Sequence, residues 1–301
     1  METTGMTRPT TGPTRRRVLL ADLTLLLVTV SWGSTFVVVQ DAIRELSVPS
    51  FMAVRFTLAS LVLSLIVALL RLKVDRRVIR DGAILGSFLF WAYWLQTLGL
   101  LTTTPSRAGF LTGMSVAVVP VLSAFLLRRP PSRAAIVGVT LAVAGLFLLM
   151  DPAGGRWAIG DSQVAVCALF VAGHILLTGR YAPRHHPMTL AAVSIAAVAL
   201  WSWGAYLVAA PSGERISHPV WNAIIVTALF ATVFAFWAQT AMQRITSPTR
   251  TALIFTGEPV FAALFDWWWN GRLLPVSGYL GGALILAGMV AAELSAHPER
   301  E

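Results

Sequence analysis

Trp91-Ala92-Tyr93-Trp94-Leu95-Gln96-Thr97 returns 143 residues further on as Phe234-Ala235-Phe236-Trp237-Ala238-Gln239-Thr240. At the same spacing, Thr103-Thr104-Pro105-Ser106-Arg107 meets Thr246-Ser247-Pro248-Thr249-Arg250, and Leu141, Ala144 and Gly145 meet Leu284, Ala287 and Gly288. One such match is within reach of chance, but three in a single register mark an internal duplication. Asp22 against Asp161, at an offset of 139, carries the correspondence toward the start of each copy. Between the copies lies Asp151-Pro152-Ala153-Gly154-Gly155, a turn-rich linker.

Of the 301 residues, 56% are apolar and 12% are charged, against roughly 25% charged in a soluble domain. That leaves too little polar surface to face water. About 20 mostly apolar residues cross a hydrocarbon core of about 30 Å as a helix. Such segments are expected near 18–39, 49–70, 81–101, 107–127, 133–150, 161–179, 187–209, 219–242, 250–268 and 275–293. Arg15, Arg16 and Arg17 before an apolar run could pass for a secretory signal, but the run continues to Val39 and nine more follow. An uncleaved first helix is the better reading.

Each copy holds five segments, an odd number, so the second copy enters the membrane from the opposite side. The expected fold is an all-α integral membrane protein, with ten transmembrane helices arranged as two inverted five-helix repeats around a central cavity. Its parts are a disordered basic tail (1–17), a first repeat (18–150), an extracytoplasmic linker (151–160), a second repeat (161–293) and a tail (294–301).

The net charge of +9 is distributed in short clusters between apolar runs, the pattern of membrane loops and not of a nucleic-acid surface. Seventeen basic residues collect on one side: Arg8, Arg15, Arg16, Arg17, Arg71, Lys73, Arg76, Arg77, Arg80, Arg128, Arg129, Arg133, Arg180, Arg184, Arg244, Arg250 and Arg300. Five fall on the other: Arg44, Arg107, Arg156, Arg215 and Arg272. Positive loops stay in the cytoplasm, so both termini are expected there and the protein in the cell (inner) membrane. Arg107 and Arg250 are equivalent in the duplication yet fall on opposite faces, as inversion requires. The single cysteine, Cys167, rules out an intramolecular disulfide and a thiolate metal cluster. His174, His185, His186, His218 and His297 show no HExxH spacing, and no P-loop sequence is present, so no metal or other cofactor is expected.

Arg55 and Glu258 fall inside expected helices. An ion near the bilayer centre costs about 2.5–3.5 kcal/mol even on lenient scales, so it usually faces a cavity or the bundle interior. Arg55 could instead snorkel to headgroups, and Glu258 could merely pack at a helix broken by Pro259. Their expected depths argue against direct pairing. His174 could carry a proton in a coupled cycle, or simply bond a neighbouring carbonyl. Trp91, Tyr93, Trp94 and Gln96, with Phe236, Trp237 and Gln239, form the duplicated aromatic–amide patch, either lining a cavity or belonging to the interfacial belt. Trp267, Trp268 and Trp269 read as belt residues, and Trp201 and Trp203 as lipid-facing. Gly33, Gly86, Gly109, Gly113, Gly138, Gly145, Gly281, Gly282 and Gly288 suit close helix packing.

Trp32-Gly33-Ser34, Pro49, Arg55-Phe56, Thr103-Thr104-Pro105-Ser106-Arg107, Glu258-Pro259-Val260-Phe261 and the stretch from Gly278 to Gly288 occur in an order that resembles the EamA family of the drug/metabolite transporter superfamily. The resemblance runs over residues 18 to 293 and adds Trp32 to the candidate site residues. It implies a ten-helix bundle around a central cavity and transport of small metabolites, often export of amino acids or related compounds. The second copy departs from it, with Val171-Ala172 and Val193 where Trp32-Gly33 and Arg55 have no counterpart.

The expected function is therefore a secondary transporter, not an enzyme, that exports a small polar or amphipathic metabolite, amino-acid-like or drug-like, by alternating access. Its expected partners are that solute, membrane lipids and protons as a candidate coupling ion; monomer and homodimer are both compatible with the pattern. The alternatives are an uncoupled facilitative carrier, an intramembrane enzyme and a lipid scramblase. An enzyme would need paired aspartates, a histidine metal cluster or a Ser–His pair; Ser115 and His174 lie in helices with no such motif around them.

Overall fold

The computed structural model describes residues 15–127, 131–149, 157–209, 213–271, 273 and 275–294, and every regular element among them is helical. Arg8, Arg128, Arg129, Arg156, Arg272, His297, Arg300 and the linker Asp151-Pro152-Ala153-Gly154-Gly155 lie outside the described residues.

α1 (Arg15–Glu45), α2 (Val48–Leu69) and α3 (Arg76–Gly99) are followed by α4 (Pro105–Gly113) and α5 (Ser115–Leu127), one rod broken at Met114. Then come α6 (Arg133–Leu149), α7 (Ile159–Tyr181), a short 3-10 turn (Ala182–Arg184) and α8 (Pro187–Ala209). α9 (His218–Ala228), a π-helical segment (Leu229–Phe234) and α10 (Ala235–Met242) form a continuous rod. α11 (Pro248–Phe255) and α12 (Gly257–Asn270) form another, broken at Thr256, and α13 (Val276–Leu294) comes last.

The starts of these helices are written locally. Thr104 and Ser247 cap α4 and α11 by accepting from the N–H groups of Arg107 and Arg250, and Pro105 and Pro248 follow at the first helical position. A hydroxyl satisfies an orphan donor there, and proline has no N–H to lose. Ser47 and Ser217 do the same for α2 and α9.

Two expected boundaries shift most. α1 runs to Glu45 instead of 39, and α3 begins at Arg76 instead of 81. An apolar count measures the hydrocarbon span, whereas a helix continues through polar residues beyond it; Asp41 and Arg44 pair on the added turn of α1. α1 also takes in Arg15, Arg16 and Arg17, the end of the expected tail.

Among the described residues, six helical stretches are long and apolar enough to cross a membrane: Arg16–Glu45, Val48–Leu69, Pro105–Phe125, Ile159–Arg184, Pro187–Ala209 and His218–Met242. Arg133–Leu148 and Val276–Ala291 are shorter apolar helices. The remaining two rods hold more polar groups, with Asp81 and Gln96 on α3 and Arg250, Glu258 and Asp266 on α11 and α12. The outer surface is apolar, with Phe125 79% and Val208 89% exposed, a coat suited to lipid and not to water. Trp201, Trp203, Trp267, Trp268 and Trp269 stand on that surface.

Packing joins the first half of the chain to the second throughout: α6 lies on α13, α2 on α8, α3 on α7 and α8, and α1 and α4 on α12. Backbones approach closely at glycines. A Cβ at Gly145 would sit 2.5 Å from the carbonyl oxygen of Gly281, and one at Gly288 would sit 2.6 Å from that of Gly138. In lipid, where no hydrophobic difference drives helices together, such close van der Waals contact is a main source of association. Gly145→Leu should therefore destabilise the detergent-solubilised protein by about 1–3 kcal/mol in thermal unfolding. Gly204→Leu on α8, where a Cβ meets nothing within 4 Å, should leave the midpoint unchanged.

Candidate functional site

Helical periodicity turns one face of several rods toward a common centre. On α1 that face is Trp32, Thr35, Phe36 and Val39; on α3 it is Leu89, Ala92, Tyr93, Gln96, Thr97 and Leu100; on α7 it is Cys167, Val171, His174 and Ile175. Each set follows the i, i+3, i+4, i+7 spacing of a single stripe. Arg55, Thr112, Ser115, Phe236, Gln239, Phe255 and Glu258 complete the wall of a cavity of about 70 Å³. Ligand pockets commonly run to ~300–1,000 Å³, so the space the side chains leave free here is narrow.

Seven of the nine sequence candidates meet here: Trp32, Arg55, Gln96, His174, Phe236, Gln239 and Glu258. Trp91 and Trp94 do not. They occupy the adjoining stripe of α3, where Trp91 is 44% exposed and stacks on Phe170, and Trp94 stacks on Phe90. The helical repeat separates Tyr93 and Gln96 from Trp91 and Trp94, a distinction that treating the patch as one unit hides. Thr112, Cys167 and Phe255 carry no sequence signal of their own. Ser115 does, since it lies 143 residues before Glu258, in the register of the duplication.

The π segment organises one wall. A π turn widens the helix and releases carbonyls from their usual partners, and such turns occur frequently at functional sites. Here the carbonyl of Ala231 accepts from Trp32 Nε1 at 2.9 Å. Thr232 Oγ1 donates to Thr227 O at 2.9 Å and accepts from Arg55 Nε at 3.3 Å and Nη2 at 3.1 Å. The guanidinium also lies 5.1 Å from the ring centre of Phe56 and 5.0 Å from that of Tyr93, within cation–π range. Arg55 is thus buried and not snorkelling, and among the described residues no carboxylate pairs with it.

Glu258 stands opposite in kind, 8% exposed and without a hydrogen-bond or ion-pair partner among the described residues. It occupies the first turn of α12, just past the break at Thr256. Pro259 removes a helical donor and crowds the carbonyl of Phe255, and the Thr256 N–H turns to Leu253 O at 3.1 Å. Gln96 donates to Thr112 Oγ1 at 3.0 Å, and Gln239 donates to Gln243 Oε1 at 2.9 Å. The Gln239 side-chain carbonyl oxygen is buried with no partner among the described residues. Leaving such an acceptor unmet costs about 1–3 kcal/mol, which a donor on a bound solute would recover. The His174 ring packs edge-on against Phe236, with centroids 5.7 Å apart.

The cavity therefore offers a cation, a carboxyl, a free amide acceptor and aromatic walls. Among the described residues no hydrogen bond links His174 to Ser115 or Cys167, and no group of three or more His, Cys, Asp or Glu could hold a metal. Thr232→Val should cost about 1.5–3 kcal/mol, the worth of a hydrogen bond to a charged group, seen as a lowered unfolding midpoint in detergent. An unchanged midpoint would mean Arg55 is held by its ring contacts alone.

A sequence model described as the EamA-like transporter family matches this chain twice, over residues 19–151 and 158–292. A protein of Archaeoglobus fulgidus called an uncharacterized transporter is 32% identical over 276 residues, covering 92% of this chain and 86% of its own. Bacillus subtilis strain 168 has a similar protein, the uncharacterized transporter YyaM, at 24% identity over 86% of this chain and 89% of its own. A protein of known crystal structure superposes with a TM-score of 0.77 at 20% identity, over 91% of this chain and 98% of that one. That likeness concerns the fold.

Proposed function

We propose a transport function from one premise: the chain belongs to the EamA-like transporter family and is a multi-pass membrane protein. Within that frame it is a secondary transporter that exports a small polar or amphipathic metabolite, amino-acid-like or drug-like, by alternating access. Its chain crosses the cell membrane ten times, with α4–α5, α9–α10 and α11–α12 each making one span. The two copies, 18–150 and 161–293 with 151–160 between them, are inverted. Both termini lie in the cytoplasm.

The observation that carries this reading is the composition of the cavity wall. At an offset of 143, Tyr93 pairs with Phe236, Gln96 with Gln239, Thr112 with Phe255 and Ser115 with Glu258, and all eight residues line the same cavity. At 139, Trp32 pairs with Val171, Thr35 with His174 and Phe36 with Ile175, and these also line it. Two related halves building one site at their interface is the arrangement from which alternating access follows. The double family match supports the same division. The pairing is symmetric in position and asymmetric in charge, since Glu258 faces Ser115 at 143 and Arg55 faces Ser194 at 139. A solute would accordingly bind in one orientation, its anionic or acceptor end at Arg55 and its donor end at Glu258 and Gln239. Glu258 is also where a proton could compete with the solute, which is what antiport requires.

Counterflow in proteoliposomes tests this. Vesicles preloaded with the solute, identified by comparing metabolites of deletion and overexpression strains, should take up labelled solute faster than empty ones. Glu258→Gln should reach the membrane at the wild-type level and lose export or its pH dependence. An enzyme or a scramblase would exchange no specific solute, and that outcome would overturn the reading; an unchanged pH profile in Glu258→Gln would make that residue structural.

A further inference from the structure

The duplication pairs Asp22 with Asp161 and Arg107 with Arg250 in register. The fold joins them crosswise. Arg250 reaches from the start of α11 to Asp22 on α1, with Nε 2.9 Å from Oδ1 and Nη2 on Oδ2. Arg107 reaches from the start of α4 to Asp161 at the start of α7, with Nη2 3.0 Å from Oδ2. Each pair links one copy to the other, and each pair is the image of the other.

Position gives them a role. Arg250 lies five residues before Phe255 and Arg107 five before Thr112, both cavity-lining residues. At about 1.5 Å per residue, each pair sits roughly 8 Å from the cavity along its helix. Because spans alternate in direction, the first and ninth begin on the N-terminal face and the fourth and sixth on the opposite one. The two pairs therefore stand at opposite ends of the path.

We propose that Asp22–Arg250 and Asp161–Arg107 are the two gates of the transport path, each sealing the cavity on one face and opening in turn. This rests on the transport reading. Both pairs are formed in the structure, one on either side of the cavity-lining residues. The pairs are well buried, the side chains being 12% and 12% exposed at Arg250 and Asp22, and 20% and 0% at Arg107 and Asp161. Attraction between such groups is largely offset by the cost of removing them from water. A gate that opens to water recovers that cost, so closed and hydrated forms can lie close in free energy.

Neighbouring ties follow the same plan. On the opposite face Glu214 accepts from the Ser47 backbone N–H at 2.9 Å and from the Ser47 and Ser50 hydroxyls. On the N-terminal face His185, in the corresponding turn of the second copy, meets Asp81 at 2.8 Å. Among the described residues each face thus carries an Arg–Asp pair and ties at a turn between helices, with Ser217 Oγ donating to Glu45 at 2.6 Å as a further one on the opposite face. Thr103 Oγ1 donates to Asp161 at 2.5 Å, and Asp161 also accepts from the Ala158 N–H at 2.8 Å.

Cys167 supplies a reporter, because it is the sole cysteine, is buried and lines the cavity. The full-length protein is placed in vesicles of known sidedness and treated with a membrane-impermeant maleimide. Asp22→Asn and Arg250→Gln should label about tenfold faster from the N-terminal face and at the wild-type rate from the other. Arg107→Gln and Asp161→Asn should show the reverse, and Arg107→Gln leaves the helix cap made by Asp161 intact if Asp161→Asn folds poorly. Exchanging the charges, Asp22→Arg with Arg250→Asp, should return labelling to the wild-type rate. Unchanged labelling, or labelling accelerated equally from both faces, would make these pairs static staples and overturn the proposal. The assay needs no solute, so its failure would leave counterflow intact, and failure of counterflow would leave side-specific labelling intact.

Discussion

Hydrocarbon offers the backbone no water, so every peptide N–H and C=O at membrane depth has to find a partner within the protein. Continuous helices meet that demand, and most of this chain complies. The departures are therefore informative: the π segment Leu229–Phe234 and the breaks at Met114 and Thr256. The two breaks lie beside the cavity-lining residues Gly113, Ser115 and Phe255, and the π segment anchors two more of them, its Ala231 carbonyl meeting the Trp32 indole and Thr232 meeting Arg55. Irregular backbone is tolerated where it lines a protected interior, and there it supplies polar groups that a regular helix would keep to itself.

The same economy governs charge. Arg55 survives inside the bundle because Thr232 and two aromatic rings receive it. Glu258 has no such reception among the described residues. A settled cation and an unsettled carboxyl in one small cavity make a site that is polarised before any solute arrives. The glycine contacts act on the other side of the balance, bringing α6 and α13 together without any polar group.

Much of this was legible in the residues. The register that matches Gln96 to Gln239 marks the copies, and the cost of buried charge singles out Arg55 and Glu258 without a structure. Applied further, that register reaches Ser115 from Glu258, and helical periodicity divides Tyr93 and Gln96 from Trp91 and Trp94. Other features had no local signature. The π turn lies in a sequence with no glycine or proline to announce it. Asp22 and Arg250 are 228 residues apart, and a duplication pairs like with like, so it shows that two aspartates correspond but not that each meets the other copy's arginine. That contact exists only once the halves are docked.

The account depends most on inversion, since equivalent gates at opposite ends follow only if the two copies enter the membrane from opposite sides. Thr104 and Ser247 cap equivalent helices, and each can be replaced by a single cysteine in a Cys167→Ser background. Labelling with an impermeant reagent from one side of sealed vesicles should reach one position and not the other, with the pattern reversed from the second side. Labelling of both positions from the same side would place the copies in parallel and contradict the account.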